Sequence, residues 1–367
     1  GFTELQAEAI VILQLYRLSN TDITQLMREN IVLDERIQEL NDILSSEERL
    51  KKVIQTELQE TKQVLAAPRK TEIEDEIDII KINQRELISD EEVQIAVTKD
   101  GYIKRSSLRS YQASQTAGLK PEDAIFFDAT LKTLDTLLIF TNLGNYIFLP
   151  IYKIDEQKWK DLGIYINNIV PIEKNESVIG VIPVSHFKNG ELVLLATKEG
   201  MMKQVKLSDF EVMRYAKPLR AMKLAKNDVL VSVSYGMRLN ILSVSKKGYG
   251  LRFKTEDLPL YGLQAGGVKS MSLAEGDEVV AATYVKSTDD MICLTSRGHI
   301  IKDVIEELPL YGRNRRGVLV VDQQKAQPHD VVSIAALSKQ QQKENTKVLL
   351  IGQRGSSEMA VSDLKYS

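Results

Sequence analysis

Ala196-Thr197-Lys198-Glu199-Gly200, with Leu207 and Phe210 behind it, decides the fold. An apolar run leads into a polar turn that ends in glycine, and a second short run leaves it. Glycine is needed because a tight turn between antiparallel strands wants positive φ. The unit recurs at Val97-Thr98-Lys99-Asp100-Gly101, Phe140-Thr141-Asn142-Leu143-Gly144, Val244-Ser245-Lys246-Lys247-Gly248, Leu294-Thr295-Ser296-Arg297-Gly298 and Ile351-Gly352-Gln353-Arg354-Gly355. Each copy continues to a Leu-x-x-aromatic corner: Leu108 to Tyr111, Leu149 to Tyr152, Leu207 to Phe210, Leu258 to Tyr261 and Leu308 to Tyr311, with an irregular Leu364-Lys365-Tyr366 at the end. A further strand pair opens on an acidic or amide turn, as at Asn227-Asp228-Val229, Gly276-Asp277-Glu278-Val279 and His329-Asp330-Val331. Four strands per repeat at a period of about fifty residues is the arithmetic of a propeller-like blade. The expected fold class is therefore mainly β, with six blades over residues 92–367 that close, or nearly close, a disc.

Residues 1–91 read differently. Leu26, Leu33 and Leu40 fall seven apart, Ile37 and Leu44 fill the alternate seam position, and polar Asn30 occupies one seam site. That is a heptad stripe, and it needs a facing helix. Either the next helix folds back on it or a segment upstream of Gly1 faces it. Ser45 with Glu48 reads as a capping box that opens this next helix, Leu50, Ile54, Leu58 and Leu65 give it an apolar face, and Pro68 stops it. Thr71 with Glu74 repeats the capping signal before Ile73, Ile77 and Ile80. In the β part only the polar run Ser338–Asn345 suggests a helix. The chain starts at Gly1 inside a helical pattern, which reads as a fragment.

Charge separates the same two parts. Residues 1–91 hold 11 Lys/Arg against 20 Asp/Glu, and residues 92–367 hold 37 against 31. The β part is too weakly basic for bulk charge to bind nucleic acid, so any binding must come from clustering. No apolar run is long enough to cross a bilayer. A single Cys293 excludes an internal disulfide and reads as strand filler in a reducing compartment. His186, His299 and His329 lie in different repeats without metal-ligand spacing, and neither a catalytic triad order nor a P-loop is present. No catalytic and no metal-binding residue is expected.

Basic residues recur instead. Lys104 and Arg105 follow Gly101, Lys203 follows Gly200, Arg252 follows Gly248 and Lys302 follows Gly298, while Phe148 breaks the pattern after Gly144. Arg109 stands in the first corner. A second set lies in the loops after the corners: Arg214, Lys217 and Arg220 in the third repeat, Lys269 in the fourth, and Arg313, Arg315 and Arg316 in the fifth. Singly, such bases are ordinary gatekeepers of strand edges. In stacked repeats, equivalent positions fall on one circumference and form a track for a curved phosphate backbone. Binding of this kind favours bendable DNA over a consensus sequence.

Gln6-Ala7-Glu8-Ala9-Ile10 and Leu15-Tyr16-Arg17-Leu18 are similar to the lower dimer-gate helix of type IIA DNA topoisomerase A subunits. With the heptad segment, the tail Arg69-Lys70-Thr71-Glu72-Ile73 and the six repeats, the chain resembles that family over nearly its whole length. The resemblance implies a β-pinwheel, a propeller whose blades exchange strands, preceded by the coiled-coil and dimer-gate end of the cleavage core. It also implies that the facing coiled-coil arm and the catalytic tyrosine lie upstream. Double-stranded DNA is the implied partner, together with a B subunit that handles ATP and Mg²⁺, in an A₂B₂ assembly built on an A-subunit homodimer. No cofactor is expected in residues 1–367 themselves. The implied location is the cytoplasm, on the chromosome or peripherally at the inner face of the cell membrane. Gln112-Ala113-Ser114-Gln115-Thr116-Ala117-Gly118-Leu119-Lys120 lacks the arginines and paired glycine of the gyrase box, so the resemblance is to the topoisomerase IV branch, which decatenates DNA. Gyrase, or a propeller scaffold for protein partners, is the competing reading.

Overall fold

A computed structural model describes residues 1–12, 20–67, 71, 88–114, 116–188, 190–213, 216–322, 329–343, 346–352 and 355–364. The chain divides into two units, Gly1–Lys81 and Ile82–Ser367. The division comes earlier than the expected 91/92 boundary, although the first strand begins at Glu92.

In the first unit, Thr3 and Gln6 form a capping box on the helix Glu4–Val11. Two longer helices follow, Asn20–Ser45 and Glu47–Leu65. The cap between them is Ser46, whose hydroxyl accepts from the Arg49 amide at 3.4 Å. The expected cap Ser45 instead ends the preceding helix and donates to the Asp42 carbonyl. Leu26, Leu33, Ile37, Leu40 and Leu44 are all exposed, and so are Leu50, Ile54 and Leu58. The second helix therefore does not cover the heptad seam of the first. Pro68 and the signal at Thr71 to Ile80 lie, apart from Thr71, outside the described residues. No helix among the described residues is long and apolar enough to cross a membrane.

The second unit is six sheets in chain order, the first five each built on one glycine-turn hairpin and the last a pair of strands, Lys347–Gly352 and Gly355–Ala360. Blade 3 shows the plan: Leu230–Gly236, Leu192–Thr197, Met201–Lys206 and Val268–Lys269, in that order across the sheet. The central strands of the inner blades are apolar on both faces because each of those blades is packed between two others. In blade 2, Leu137 and Ile139 join a core with Val93 and Ile95 of blade 1, while Leu138 and Phe140 join one with Val193 and Leu195 of blade 3. Further cores join blades 3 and 4, 4 and 5, and 5 and 6. Cys293 is strand filler in one of them, and burial pushes its thiol up to about 12.

The hydroxyl three residues before the turn glycine caps the turn: Thr98, Thr197, Ser245 and Thr295 each accept from the amide just after the glycine at 3.1 to 3.2 Å. The acidic turn of the repeat closes the same hairpin. Asp123, Asp228 and Asp277 accept from the amides of Asp100, Glu199 and Lys247.

Two expectations shift in register. The corner begins seven residues after the turn glycine, as a helical turn with apolar residues at its first and fourth positions: Ile151 and Ile154, Leu207 and Phe210, Ile305 and Leu308. Leu149, Leu258 and Leu308 are therefore not the corner starts. In the fifth repeat Tyr311 lies beyond the corner, in an edge strand parallel to Tyr249–Lys254 of blade 4. In the first repeat the corner lengthens into a helix, Leu108–Ala113, and the expected polar helix is present at Lys339–Lys343.

After the second to fifth corners the chain crosses to the preceding blade and adds a strand there. Ile164–Tyr165 pairs with Tyr102–Ile103, Leu219–Arg220 with Asn145–Tyr146, Val268–Lys269 with Met201–Met202, and Val318–Leu319 with Tyr249–Gly250. This is strand exchange between blades. Glycines permit it where the crossing chain meets the host backbone. Gly267 (φ +74°) and Gly317 (φ +86°) precede their exchanged strands, and a Cβ on either would press onto the carbonyl of Met202 or Gly250.

Candidate nucleic-acid interface

The bases that follow the turn glycines do not form an outer track. In blades 1, 3 and 4 an exchanged strand covers the strand that carries them, and in blade 5 Lys302 is buried beside Asp290 without one. Lys104 and Lys203 are 1% and 0% exposed. The Lys104 Nζ donates to the carbonyls of Gly118 (2.8 Å), Trp159 (3.0 Å) and Asp161 (2.5 Å) and sits over the Trp159 ring. The Lys203 Nζ donates to those of Gly262 (2.8 Å) and Leu263 (2.9 Å). Burial lowers both ammonium pKa values, that of Lys203 to about 8, while Asp161 opposes the shift at Lys104.

The next position along the same strand is also committed. Arg252 donates to the Ile305 carbonyl at 2.8 Å, just as Gln204 donates to those of Thr255 and Leu258. Each fastens the corner of the following repeat. Burial lowers the Arg252 pKa, against the pull of Glu306. Lys302 is 7% exposed and lies 3.4 Å from the buried Asp290 carboxylate. Arg105 is half-buried, with its carbonyl accepting from the Gln157 amide. Lys104, Lys203, Arg252 and Lys302 therefore leave the interface. A signal for the first two was available, since the sister blades carry Ile147 and Leu251 at the same distance from the glycine.

The loops after the corners supply what remains. Arg220 and Lys269 are exposed and occupy the same place, the second residue of an exchanged strand, opposite Asn145 and Met201. Arg315 and Arg316 are exposed, and Arg316 lies 3.9 Å over the Tyr249 ring. Arg313 is half-buried and braces the site, donating to the carbonyls of Lys269 (2.6 Å) and Asp257 (3.2 Å). Backbone bonds tie these loops in series: Lys223 to Ala265, Asn314 to Ser270, and Ser272 to Arg315. Lys269, Arg313 and Arg315 are thus neighbours, and exposed Lys223 adjoins them from the third repeat. Among the described residues no carboxylate is paired with Arg220, Lys269, Arg313, Arg315 or Arg316. Arg109 is exposed in blade 1, and Arg214 lies outside the described residues.

At the hairpin turns the charges are neutralised instead. Glu278 lies between Lys198 (2.7 Å) and Lys246 (3.2 Å) of neighbouring blades, and Lys246 also approaches Asp330. The bond to Glu278 holds Lys198 up, and the lysines hold Glu278 down. Folding brings the His299 and His329 rings within 5.8 Å of each other, which their spacing did not suggest. No group of three metal-ligating side chains occurs among the described residues.

A run of strand-exchanged, propeller-like blades is the class of domain that the C-terminal part of gyrase-type A subunits carries. The family model described as the DNA gyrase C-terminal domain, beta-propeller, matches residues 95–120, 135–185, 191–235 and 239–286. The A subunit of DNA topoisomerase 4 from Bacillus subtilis (strain 168) is 38% identical over 343 residues, covering 93% of this chain and 43% of that protein. Its counterpart from Staphylococcus epidermidis (strain ATCC 12228 / FDA PCI 1200) is 39% identical over 373 residues, covering 100% of this chain and 46% of that protein. A crystal structure of the C-terminal domain of DNA topoisomerase IV superposes with a TM-score of 0.68 at 33% identity, covering 76% of this chain and 87% of that one. The chain belongs to the family of DNA topoisomerase IV A subunits. It spans less than half the length of either of these two relatives.

Proposed function

We propose that residues 82–367 bind and bend double-stranded DNA through the loops that follow the corners, as part of a topoisomerase IV A subunit that relaxes and decatenates DNA. One observation carries the reading: Arg220, Lys269, Arg315 and Arg316 are exposed on exchanged loops, with no carboxylate to satisfy them among the described residues. A phosphate backbone provides that partner, and phosphate contacts fix register without reading sequence. Bending a short duplex costs on the order of a few kcal/mol, so several such contacts must act together. The exposed heptad seam Leu26–Leu40 takes a facing helix from the remainder of the A subunit. Strand cutting belongs to a tyrosine outside residues 1–367, and ATP and Mg²⁺ act with the B subunit in an A₂B₂ enzyme on the chromosome.

Fluorescence anisotropy of the chain with a labelled duplex of about 40 base pairs tests the interface. Affinity should fall steeply between roughly 50 and 200 mM salt, with a log–log slope set by several contacts. Negligible, salt-insensitive binding would leave a scaffold for protein partners as the better reading. Full-length A subunit with its B subunit, ATP and Mg²⁺ tests the branch: decatenation without negative supercoiling is expected, and negative supercoils would make it a gyrase.

A further inference from the structure

Of the lysines that leave the interface, Lys302 has the Asp290 carboxylate, whereas Lys104 and Lys203 remain unexplained as buried charges. A buried ammonium without a carboxylate is destabilising, and the fold tolerates an aliphatic residue there, because Ile147 and Leu251 occupy the equivalent positions in blades 2 and 4. Lys104 and Lys203 therefore do something an aliphatic side chain cannot. Their donors go to main-chain carbonyls of the crossing loop of the next repeat. Lys203 holds Gly262 and Leu263, at the start of the loop that ends in Val268–Lys269. Lys104 holds Trp159 and Asp161, just before Ile164–Tyr165, and ties them to Gly118 of its own repeat. Carbonyls in such an irregular loop would otherwise be buried without donors.

We infer that Lys104 and Lys203 are positioning residues whose buried ammonium groups clamp the exchanged loops in the shape that presents rim bases to DNA. For Lys203 the base presented is Lys269, whose carbonyl also seats Arg313. For Lys104 the bases are the exposed Lys158 and Lys160, which flank Trp159. Lys203 never touches phosphate, and it acts through the loop. The inference rests on the DNA reading above, but the clamp can be measured without DNA.

The test is a double-mutant cycle on the 367-residue chain. Lys203→Leu copies the residue that blade 4 already accommodates, so the blade should still pack. Amide exchange across residues 262–270 is expected to quicken while the central strand Leu192–Thr197 stays protected. Affinity for the duplex should fall by about eightfold at 0.1 M salt, the value of one lost phosphate contact, and the slope should drop by about 0.9. Lys269→Ala should do the same, and the double variant should be no weaker than either alone, because both remove one contact. Fully additive losses, or unchanged exchange and affinity in Lys203→Leu, would overturn the inference. If Lys203→Leu does not fold, Lys104→Ile decides: Trp159 is the only tryptophan, so its emission should move to longer wavelength as the loop loosens, and an unmoved spectrum counts against the clamp. A wild-type chain that does not bind DNA overturns the DNA reading, and amide exchange then judges the clamp alone.

Discussion

Replacing Arg313, Arg315 and Arg316 together by alanine probes the rim where it is densest. The three do not contribute equally. Arg313 is half-buried and commits two donors to the Lys269 and Asp257 carbonyls, so it shapes the loop more than it meets solvent. Arg315 and Arg316 are exposed, and the Tyr249 ring supports the Arg316 guanidinium without neutralising it. Two direct phosphate contacts are therefore lost, each about 0.9 in the slope of log affinity against log salt, for a total near 1.8. At 0.1 M salt this weakens binding by about sixtyfold. The single Arg315→Ala variant should lose about eightfold and about one slope unit. Arg313→Ala should lower stability by only about 0.5 to 1.5 kcal/mol, because the carbonyls it serves belong to the exposed residues Asp257 and Lys269, where water can replace the lost donor. Anisotropy titrations at several salt concentrations, with urea melts of each variant, separate the two effects. An unchanged slope in a folded triple variant would remove this loop from the interface and refute the charge argument.

Lys203 gives a pH test. Burial holds its folded-state pKa at about 8, against an ordinary value of 10.5 in the unfolded chain. Below pH 8 both states are protonated and the folded state carries the full desolvation penalty. Between pH 8 and 10.5 the unfolded chain binds the extra proton, so stability relative to Lys203→Leu should rise with pH, by at most about 1.4 kcal/mol per unit. Urea midpoints of both proteins that stay parallel across this window would rule it out. Gly317→Ala should destabilise blade 4 by about 2 kcal/mol or more, since φ is +86° and the new Cβ meets the Gly250 carbonyl. A melting temperature within error of wild type would show that the crossing is not held there. Cys293, fully buried with its thiol pushed up to about 12, should resist a thiol reagent in the native chain and react once urea unfolds it.

The blade repeats and the glycine turns were legible in the sequence, because a tight turn demands glycine and a strand packed on both faces demands an unbroken apolar run; the expected sixth blade is only a two-stranded sheet among the described residues. The helix Asn20–Ser45 was legible from its heptad period, but what faces the stripe was not, since its apolar residues are exposed. Strand exchange was not derivable from the residues: Gly267 and Gly317 are ordinary loop glycines until the chain is seen crossing to another blade. That crossing also decided which bases are free. Lys104, Lys203 and Arg252 follow turn glycines as plainly as any surface residue would, yet a strand from the next repeat covers them. Local sequence sets which way a side chain leaves its own strand. Whether that direction is solvent or interior depends on a segment up to about sixty residues away, and only tertiary structure places it.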